Sequence, residues 1–298
     1  MRLATIEVGG APALAALAGD EVVNLTLAAP ELPETMEEFL ALGDPGLERA
    51  QTAIESGDDR LARDQVTFLA PVGAPRKFFG VGLNYASHVA ETTGEKPEFP
   101  TVFSKAVTCV AGPSDDIPLP VASDRLDYEG ELGVVIGRRC RHVSRERAAE
   151  AIGGYLVTND FTIRDFQMRS GQWDLGKSFD GHGPIGPWIV TPDEIDPHAL
   201  PIRTLVNGEV RQESNTDELI FDCFDLVELL STVCTLEPGD IIATGTPGGI
   251  GALEGKFLGA GDVVKVEIDG IGSIENRIVA EADAEEYIDG PAAGALSR

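Results

Sequence analysis

Residues 126–137 read Leu126-Asp127-Tyr128-Glu129-Gly130-Glu131-Leu132-Gly133-Val134-Val135-Ile136-Gly137. The second half of this stretch is a β-strand by composition, with branched apolar residues that run up to a glycine. Side chains at positions i and i+2 of a strand point to the same face, so Glu129 and Glu131 are expected to project side by side. Two adjacent carboxylates repel each other unless a cation lies between them. The stretch therefore predicts either a site for a hard divalent metal ion or a solvated strand edge.

A third acid, Asp160, directly follows a second predicted strand. Three carboxylates with waters would form an oxygen-only octahedral site, which selects Mg²⁺, Mn²⁺ or Ca²⁺ over Zn²⁺. The alternative is that Asp160 caps the next segment of the chain. The residues alone leave both interpretations open.

The composition is that of an ordinary soluble globular protein, since 43% of the 298 residues are hydrophobic and 24% are charged. The formal net charge of −27 disfavours nucleic acid, whose phosphates need a basic face, and an anionic membrane surface. The four cysteines form no Cys-x-x-Cys pair and suggest no disulfide framework, so the predicted location is a reduced cytoplasm. No apolar run approaches the length of a membrane span.

The strand and turn signals predict an α+β protein that is rich in β-strands, because strands and short helices do not alternate as regular βαβ units. Residues 1–70 are predicted to form a small N-terminal α+β domain with no obvious chemistry in it. Prolines and a glycine mark residues 71–77 as a linker. Residues 78–280 would form the larger domain, and residues 281–298 an acidic, flexible tail.

Two histidines have neighbours that suggest a role. His88 and Glu91 lie at i and i+3 of a predicted short helix, so they share one face. The pair is either a general base whose tautomer is set by the carboxylate or an exposed surface pair. His182 lies in a glycine-flanked loop, which is a weak signal of function. The other two histidines have the neighbours of surface residues.

Several cations stand out in an otherwise acidic chain. Arg164 and Gln167, at i and i+3, could present two donors to a ligand oxyanion from one helical turn. Lys177 lies among turn and apolar residues, and Lys105 is a further candidate. Each cation taken alone is expected to be an ordinary ion-pairing surface residue.

A glycine-rich loop, residues 244–251, follows a predicted strand near the end of the chain. The Gly-Lys-Ser/Thr of a phosphate-binding loop is missing, because prolines and glycines continue instead. The loop is therefore either a nest of backbone N–H groups that grips a carboxylate or a plain tight turn.

Seven motifs occur in unbroken order over roughly residues 76–280. They are Gly82-Leu83-Asn84-Tyr85-Ala86-Ser87-His88-Val89-Ala90-Glu91, Phe103-Ser104-Lys105, Asp127-Tyr128-Glu129-Gly130-Glu131-Leu132, Asn159-Asp160 with Arg164-Asp165-Phe166-Gln167, Gly176-Lys177-Ser178-Phe179-Asp180, Leu236-Glu237-Pro238-Gly239-Asp240 and Thr244-Gly245-Thr246-Pro247-Gly248-Gly249. Together they resemble the fumarylacetoacetate hydrolase family. The resemblance implies a mixed β-sandwich roll as the catalytic fold, usually in a homodimer. Residues 1–70 look like the N-terminal domain of the longer bacterial members.

The resemblance also assigns roles to residues. It implies a Mg²⁺ or Mn²⁺ site, with Ca²⁺ as an alternative. It implies a lid helix whose histidine activates water, and cations that stabilise oxyanions. The residues at the matching positions are Glu129, Glu131 and Asp160 for the metal, His88, Glu91 and Lys177 for catalysis, and Tyr85, Arg164, Gln167, Gly245 and Thr246 for substrate binding.

The activity implied is metal-dependent hydrolysis of a carbon–carbon bond in a small 1,3-diketo acid such as an acylpyruvate or fumarylpyruvate, with His88 activating the water. The same site would serve an oxaloacetate decarboxylase, a keto-acid isomerase or hydratase, or a diketo-deoxy sugar acid hydrolase. A metal-stabilised binding protein without turnover and a nucleotide-binding protein are alternatives of other classes. The segments Thr162-Ile163 and Gly181-His182-Gly183 depart from the commonest pattern of the family. Both flank the expected pocket, so these departures are expected to alter the shape of the substrate that the pocket accepts.

Overall fold

The computed structural model describes residues 1–92 and 94–281, and most of the predicted tail, 282–298, lies outside this range. The strands of the described part form one long mixed sheet, one five-stranded sheet and one short pair. The strands are β1 Arg2–Val8, β2 Ala11–Ala18, β3 Glu21–Asn24, β4 Arg60–Ala62, β5 Phe68–Leu69, β6 Phe78–Gly82, β7 Thr101–Lys105, β8 Val110–Ala111, β9 Ile117–Leu119, β10 Leu126–Asp127, β11 Gly130–Ile136, β12 Ile152–Asn159, β13 Thr162–Ile163, β14 Gly183–Val190, β15 Pro201–Val206, β16 Glu209–Asn215, β17 Ile241–Ala243, β18 Val263–Ile268 and β19 Gly272–Ala280.

The helices are short and lie between the strands. The α-helices are α1 Leu25–Ala28, α2 Met36–Ala41, α3 Asp44–Ser56, α4 Ala86–Glu91, α5 Arg164–Gln167, α6 Asp174–Lys177, α7 Cys223–Val233 and α8 Gly251–Glu254. Single 3₁₀ turns or longer 3₁₀ segments occur at Arg63–Gln65, Val107–Cys109, Arg145–Ala151 and Thr216–Glu218. The prediction of a β-rich α+β protein is therefore confirmed. None of the helices in residues 1–92 and 94–281 is long and apolar enough to cross a membrane.

The long sheet has the order β4-β3-β2-β1-β14-β12-β11-β17-β6-β7, and the five-stranded sheet has the order β16-β15-β18-β19-β9. Strand β11, which carries the opening stretch of the sequence, lies near the middle of the long sheet. It pairs with β12 on one side and with β17 on the other. Every residue of β11 is buried, so the solvated strand edge is excluded for this stretch.

The alternation of side chains along β11 separates two cores. Leu132, Val134 and Ile136 belong to a core that also contains Val266 and other residues of the five-stranded sheet. Val135, one residue out of phase, belongs to a second core with residues of α2 and α3. Odd-numbered residues of β11 therefore face away from the five-stranded sheet, as expected for a strand of period two. Glu131 lies on this odd-numbered side.

The N-terminal strands continue the long sheet. Leu3 of β1 pairs with Ile189 of β14, and residues of β1 to β3 pack in the same cores as residues of β11 and β12. The segment predicted as a linker has no regular structure beyond a series of bends. The predicted division at residues 71–77 therefore does not coincide with a break in the sheet or in the core. Whether residues 1–70 fold as a unit of their own stays a prediction.

Gly130, between the two glutamates, lets the sheets approach each other. A Cβ atom at this position would lie 2.1 Å from Thr204 Oγ1 and 2.9 Å from Val266 Cγ1, both in the five-stranded sheet. We expect Gly130→Ala to lower the free energy of unfolding by about 1–3 kcal/mol, because an extra carbon in a packed core forces its neighbours apart.

Urea denaturation measures this effect. Gly171→Ala is the matched control, since a Cβ atom there has no neighbour within 4 Å. The control removes the same backbone freedom from the unfolded chain and should keep the wild-type midpoint or raise it slightly. Equal midpoints for the two variants would contradict the packing argument.

Candidate active site

Three carboxylates meet at the ends of β11 and β12. Glu129, Glu131 and Asp160 are all buried, and one carboxylate oxygen of each lies within 4.8 Å of the others. The antiparallel register explains this, because Gly130 pairs with Asn159 and the Asp160 N–H donates to the Glu129 carbonyl at 2.8 Å. The structure thus brings together the three acids that the sequence picked out, on one side of the sheet.

Two buried lysines contact these acids. Lys177 Nζ lies 2.6 Å from Glu129 Oε2 and 2.8 Å from Asp160 Oδ2. Lys105 Nζ lies 2.5 Å from Asp160 Oδ1 and also donates to the backbone carbonyls of Lys177 and His182. The expectation that each lysine taken alone is a surface residue was wrong, since only 1% of Lys177 and 3% of Lys105 is exposed.

Arg164 connects the acids to a fourth carboxylate. Its Nη1 lies 2.6 Å from Glu129 Oε1, and its Nε lies 2.8 Å from Asp127 Oδ2. Nη2 is 2.7 Å from the same Asp127 oxygen but is not aligned for a hydrogen bond, so it has no hydrogen-bond partner among the described residues. Nη1 also donates to Gln167 Oε1, which leaves the Gln167 amide nitrogen directed elsewhere. Arg164 is thus engaged by two carboxylates, and the role of Arg164 and Gln167 in binding an oxyanion stays a prediction.

The charges of this cluster do not balance. Four buried carboxylates, those of Asp127, Glu129, Glu131 and Asp160, face three cations, Lys105, Lys177 and Arg164. The excess is located at Glu131, which forms no ion pair in the described part of the chain and accepts only the Gly245 N–H, at 2.7 Å. An excess negative charge in a buried place costs free energy unless a cation compensates it.

The pKa values of the two glutamates follow from this arrangement. Burial alone would raise the pKa of Glu129, but Lys177 and Arg164 outweigh burial and lower it to about 2. Burial and the carboxylates of Asp160 and Glu129 raise the pKa of Glu131 well above its usual value. The cluster therefore lacks one positive charge beside Glu131.

The three acids fit a divalent cation. Oxygen ligands on one Mg²⁺ or Mn²⁺ ion lie within about 4–5 Å of one another, and carboxylates are the ligands these hard ions prefer. The measured separation of the acids meets this condition, and the charge deficit at Glu131 supplies the need for a cation. The buried Tyr85 hydroxyl, which has no hydrogen-bond partner among the described residues, is a further polar atom in this region; Glu131 contributes, after burial, to the raised pKa of Tyr85.

His88 and Glu91 form the predicted pair on α4. His88 Nδ1 lies 3.0 Å from Glu91 Oε1, and His88 is 7% exposed. A carboxylate can only accept, so Nδ1 carries the hydrogen and Nε2 of the neutral ring keeps its lone pair. Because Nε2 is then free to take a proton, the pair has the geometry of an oriented general base.

A small cavity joins these groups. Its volume is about 30 Å³, and its lining includes side chains of the predicted site together with Trp173. The residues around it are Val81, Gly82, Leu83, His88, Glu129, Arg164, Gln167, Trp173, Lys177 and Thr246. The helix α4 therefore places its histidine against the same space as the glutamate, the arginine and the lysine.

The glycine-rich loop is the nest of N–H groups that the sequence offered as one alternative, and the carboxylates it grips belong to the protein. Gly245 N donates to Glu131 and Gly249 N to Glu91. Gly251 N and Ala252 N donate to Asp127 at 2.9 and 3.0 Å. The N–H of Gly245, predicted to bind substrate, is thus engaged by Glu131, so a substrate would have to displace Glu131 to use it.

Thr246 lines the cavity, as its predicted role requires, but Tyr85 does not. Tyr85 is fully buried and lies at the N-terminus of α4. His182, considered a weak candidate, is buried and stacks on Phe179. Burial lowers the pKa of His182 to about 4, and its Nε2 donates to the Pro118 carbonyl, so it has the contacts of a structural residue.

Three residues of the site had not been singled out. Asp127 holds Arg164 and the start of α8, and Asn159 Oδ1 accepts the Glu129 N–H. Gln212, on β16, contacts both Thr246 and Gly130. Asp127 could have been predicted from the sequence. It precedes Glu129 by two residues, which is the spacing that places strand side chains on one face. For Gln212 the sequence gives no local signal.

The comparison with known protein families agrees with this geometry. A family model described as fumarylacetoacetate (FAA) hydrolase C-terminal matches residues 77–279. The chain therefore belongs to the fumarylacetoacetate hydrolase family, whose members are enzymes.

Individual relatives span several reactions. The chain is 44% identical over 265 residues to a mitochondrial oxaloacetate tautomerase of Rattus norvegicus. The aligned region covers 88% of this chain and 85% of that protein. It is similar to the 5-carboxymethyl-2-hydroxymuconate delta-isomerase of Mycobacterium smegmatis, with a TM-score of 0.77 and 38% identity over 95% of this chain and 100% of that chain. It is also similar to the maleylpyruvate hydrolase of Sphingobium sp. SYK-6 in complex with manganese(II) and pyruvate, with a TM-score of 0.80 and 31% identity over 95% of this chain and 100% of that chain.

Proposed function

We propose that this protein is a divalent-metal-dependent enzyme that interconverts the keto and enol forms of a small 2-oxo dicarboxylic acid, with oxaloacetate as the first candidate. The observation that carries the proposal is that Glu129, of the buried triad Glu129, Glu131 and Asp160, and His88, of the His88–Glu91 pair, line the same cavity. Similarity to oxaloacetate tautomerases over 88% of the chain supports the choice of substrate.

Each residue has a definite task in this reaction. A divalent cation held by the three acids would polarise the 2-oxo group as a Lewis acid. His88 Nε2 removes a proton from C3, while Glu91 keeps the ring oriented. The electron pair of the broken C–H bond forms the C2–C3 double bond, and the π pair of the 2-oxo group moves onto the C2 oxygen. That oxygen then takes the proton back from the protonated His88. Lys177 Nζ contacts two of the acids, and Lys177 lines the cavity, so its ammonium group offsets the charge that develops on this oxygen.

Arg164 and Gln167 would bind a carboxylate of the substrate. Both side chains line the cavity, and the Gln167 amide nitrogen is not engaged by Arg164, which contacts the oxygen of this amide. A guanidinium and an amide N–H are suitable donors for a carboxylate.

Hydrolysis of a carbon–carbon bond in an acylpyruvate is the second candidate. The His88–Glu91 pair favours it, because the same Nε2 atom can take a proton from a water molecule instead of from C3. We also propose that the protein forms a homodimer, as its resemblance to the family implies.

Proton NMR in D₂O separates these activities. With Mg²⁺ or Mn²⁺ present, we expect the enzyme to accelerate exchange of the C3 protons of oxaloacetate and the approach to keto–enol equilibrium, without new products. Carbon–carbon hydrolysis would instead give pyruvate and a second carboxylate from an acylpyruvate, and decarboxylation would give pyruvate from oxaloacetate. Formation of pyruvate as fast as C3 exchange would overturn the tautomerase proposal.

A further inference from the structure

Gln212 is a buried residue of the site that no step above uses. It lies on β16 of the five-stranded sheet and is 1% exposed. Its Oε1 accepts the Gly130 N–H at 3.1 Å, and its Nε2 donates to the Pro247 carbonyl at 2.8 Å. A backbone N–H can only donate and a carbonyl can only accept, so these two contacts fix which end of the amide is which.

The same amide nitrogen donates to Thr246 Oγ1 at 2.8 Å. A hydroxyl has a single hydrogen, and in Thr246 this hydrogen goes to the Gly130 carbonyl at 3.0 Å. Because Gln212 occupies a lone pair of Oγ1, the hydroxyl cannot turn its hydrogen toward residue 212. The hydrogen is therefore left for the Gly130 carbonyl or for an acceptor in the cavity that Thr246 lines.

We propose that Gln212 is a positioning residue that fixes Thr246 as a hydrogen-bond donor to the substrate carboxylate. When the substrate binds, the Thr246 hydrogen moves from the Gly130 carbonyl to the carboxylate, while Gln212 holds the oxygen in place. The inference rests on the proposed function only in assuming a carboxylate ligand. This positioning role accounts for two contacts of Gln212, which lies outside the long sheet. One is with Gly130, between the two glutamates, and the other is with the glycine-rich loop.

Replacing the amide donor of Gln212 with a hydrogen-bond acceptor tests this role. Gln212→Glu keeps an oxygen for the Gly130 N–H but replaces the donor to Thr246 with an acceptor, so the hydroxyl hydrogen turns toward residue 212. Oxalate is a suitable probe, because it is a small dicarboxylate and its binding requires no turnover. With Mn²⁺ present, we expect the Kd of oxalate by calorimetry to rise about tenfold in Gln212→Glu, the loss of one hydrogen bond to a charged group.

The control is a double-mutant cycle with Thr246→Val, which removes the hydroxyl. In the valine background, Gln212→Glu should change the Kd of oxalate by less than about twofold, because there is no hydroxyl left to redirect. A tenfold rise in both backgrounds would mean charge repulsion or distortion of the site, and it would overturn the proposal. An unchanged Kd in Gln212→Glu alone would overturn it as well.

A neutral variant covers the case in which Gln212→Glu does not fold. Gln212→Met has a similar length and neither donates nor accepts, so its Kd for oxalate should lie between those of the wild type and the glutamate variant. That increase should also vanish in the valine background. The binding result is independent of the reaction assay, so a wrong choice of reaction leaves this test intact.

Discussion

Replacing Asp160 with asparagine will abolish metal-dependent turnover and lower the free energy of unfolding of the metal-free protein by about 3 kcal/mol. Asp160 contacts two buried ammonium groups, since its two oxygens lie 2.5 Å from Lys105 Nζ and 2.8 Å from Lys177 Nζ. Asparagine leaves Lys105 with neutral partners only, and a buried ammonium without a carboxylate is strongly unfavourable. The substitution also relieves the repulsion between Asp160 and Glu131, which offsets part of this cost, so the expected loss lies at the lower end of the range for a broken buried pair. The variant also loses one of the three acids that fit the divalent cation.

Urea denaturation of chelator-treated protein measures the stability effect, and the NMR assay measures turnover. Glu150→Gln is the matched control, because it makes the same type of change in an exposed pair with Arg147. We expect this control to keep both activity and stability. Asp160→Asn protein as stable as the control would contradict the assignment of Asp160 as the partner of two buried lysines.

Replacing His88 with glutamine will lower kcat for C3 proton exchange by a factor of about 10²–10⁴, the range for loss of a positioned general base. Glutamine has a similar reach and can contact Glu91, but it cannot take a proton near neutral pH. The loss should lie in kcat and leave the Kd of oxalate within about threefold, because His88 is not among the residues that fit the cation or the carboxylate. Glu91→Gln should show a smaller loss, since the ring stays in place.

His142→Gln is the control for this variant. His142 is exposed and lies on the segment before the 3₁₀ helix Arg145–Ala151, away from the residues that line the cavity. We expect wild-type kcat from it. If His88→Gln keeps wild-type kcat as well, another group removes the C3 proton and the role of His88 is wrong.

The carboxylates of the site could be predicted because their signal is local. The alternation of a strand places Glu129 and Glu131 on one side, and a strand end places Asp160 near them. The spacing of His88 and Glu91 on a helix is equally local, and the structure confirms their contact. Secondary structure follows the same rule. The residue types of 263–268 predict a strand, and the structure has a strand at Val263–Ile268.

The cations could not be placed by such signals. Whether a lysine is buried depends on the partner that tertiary structure brings to it, and the partner of Lys105 lies 55 residues further along the chain. Gln212 contacts Gly130 across 82 residues. The N-terminal strands join the long sheet through Leu3 and Ile189, a pairing that only the folded chain creates. Long-range contacts of this kind determine which charges and amides belong to the site.

The central claim is that Glu129, Glu131 and Asp160 hold a divalent cation on which the activity depends. The most direct measurement is a calorimetric titration of chelator-treated protein with Mn²⁺, comparing the wild type with Asp160→Asn. We predict one saturable site per chain in the wild type, no saturable binding in Asp160→Asn, and recovery of C3 proton exchange only in the wild type as the site fills. Equal Mn²⁺ binding by both proteins, or full exchange activity in chelator-treated wild type, would contradict the claim.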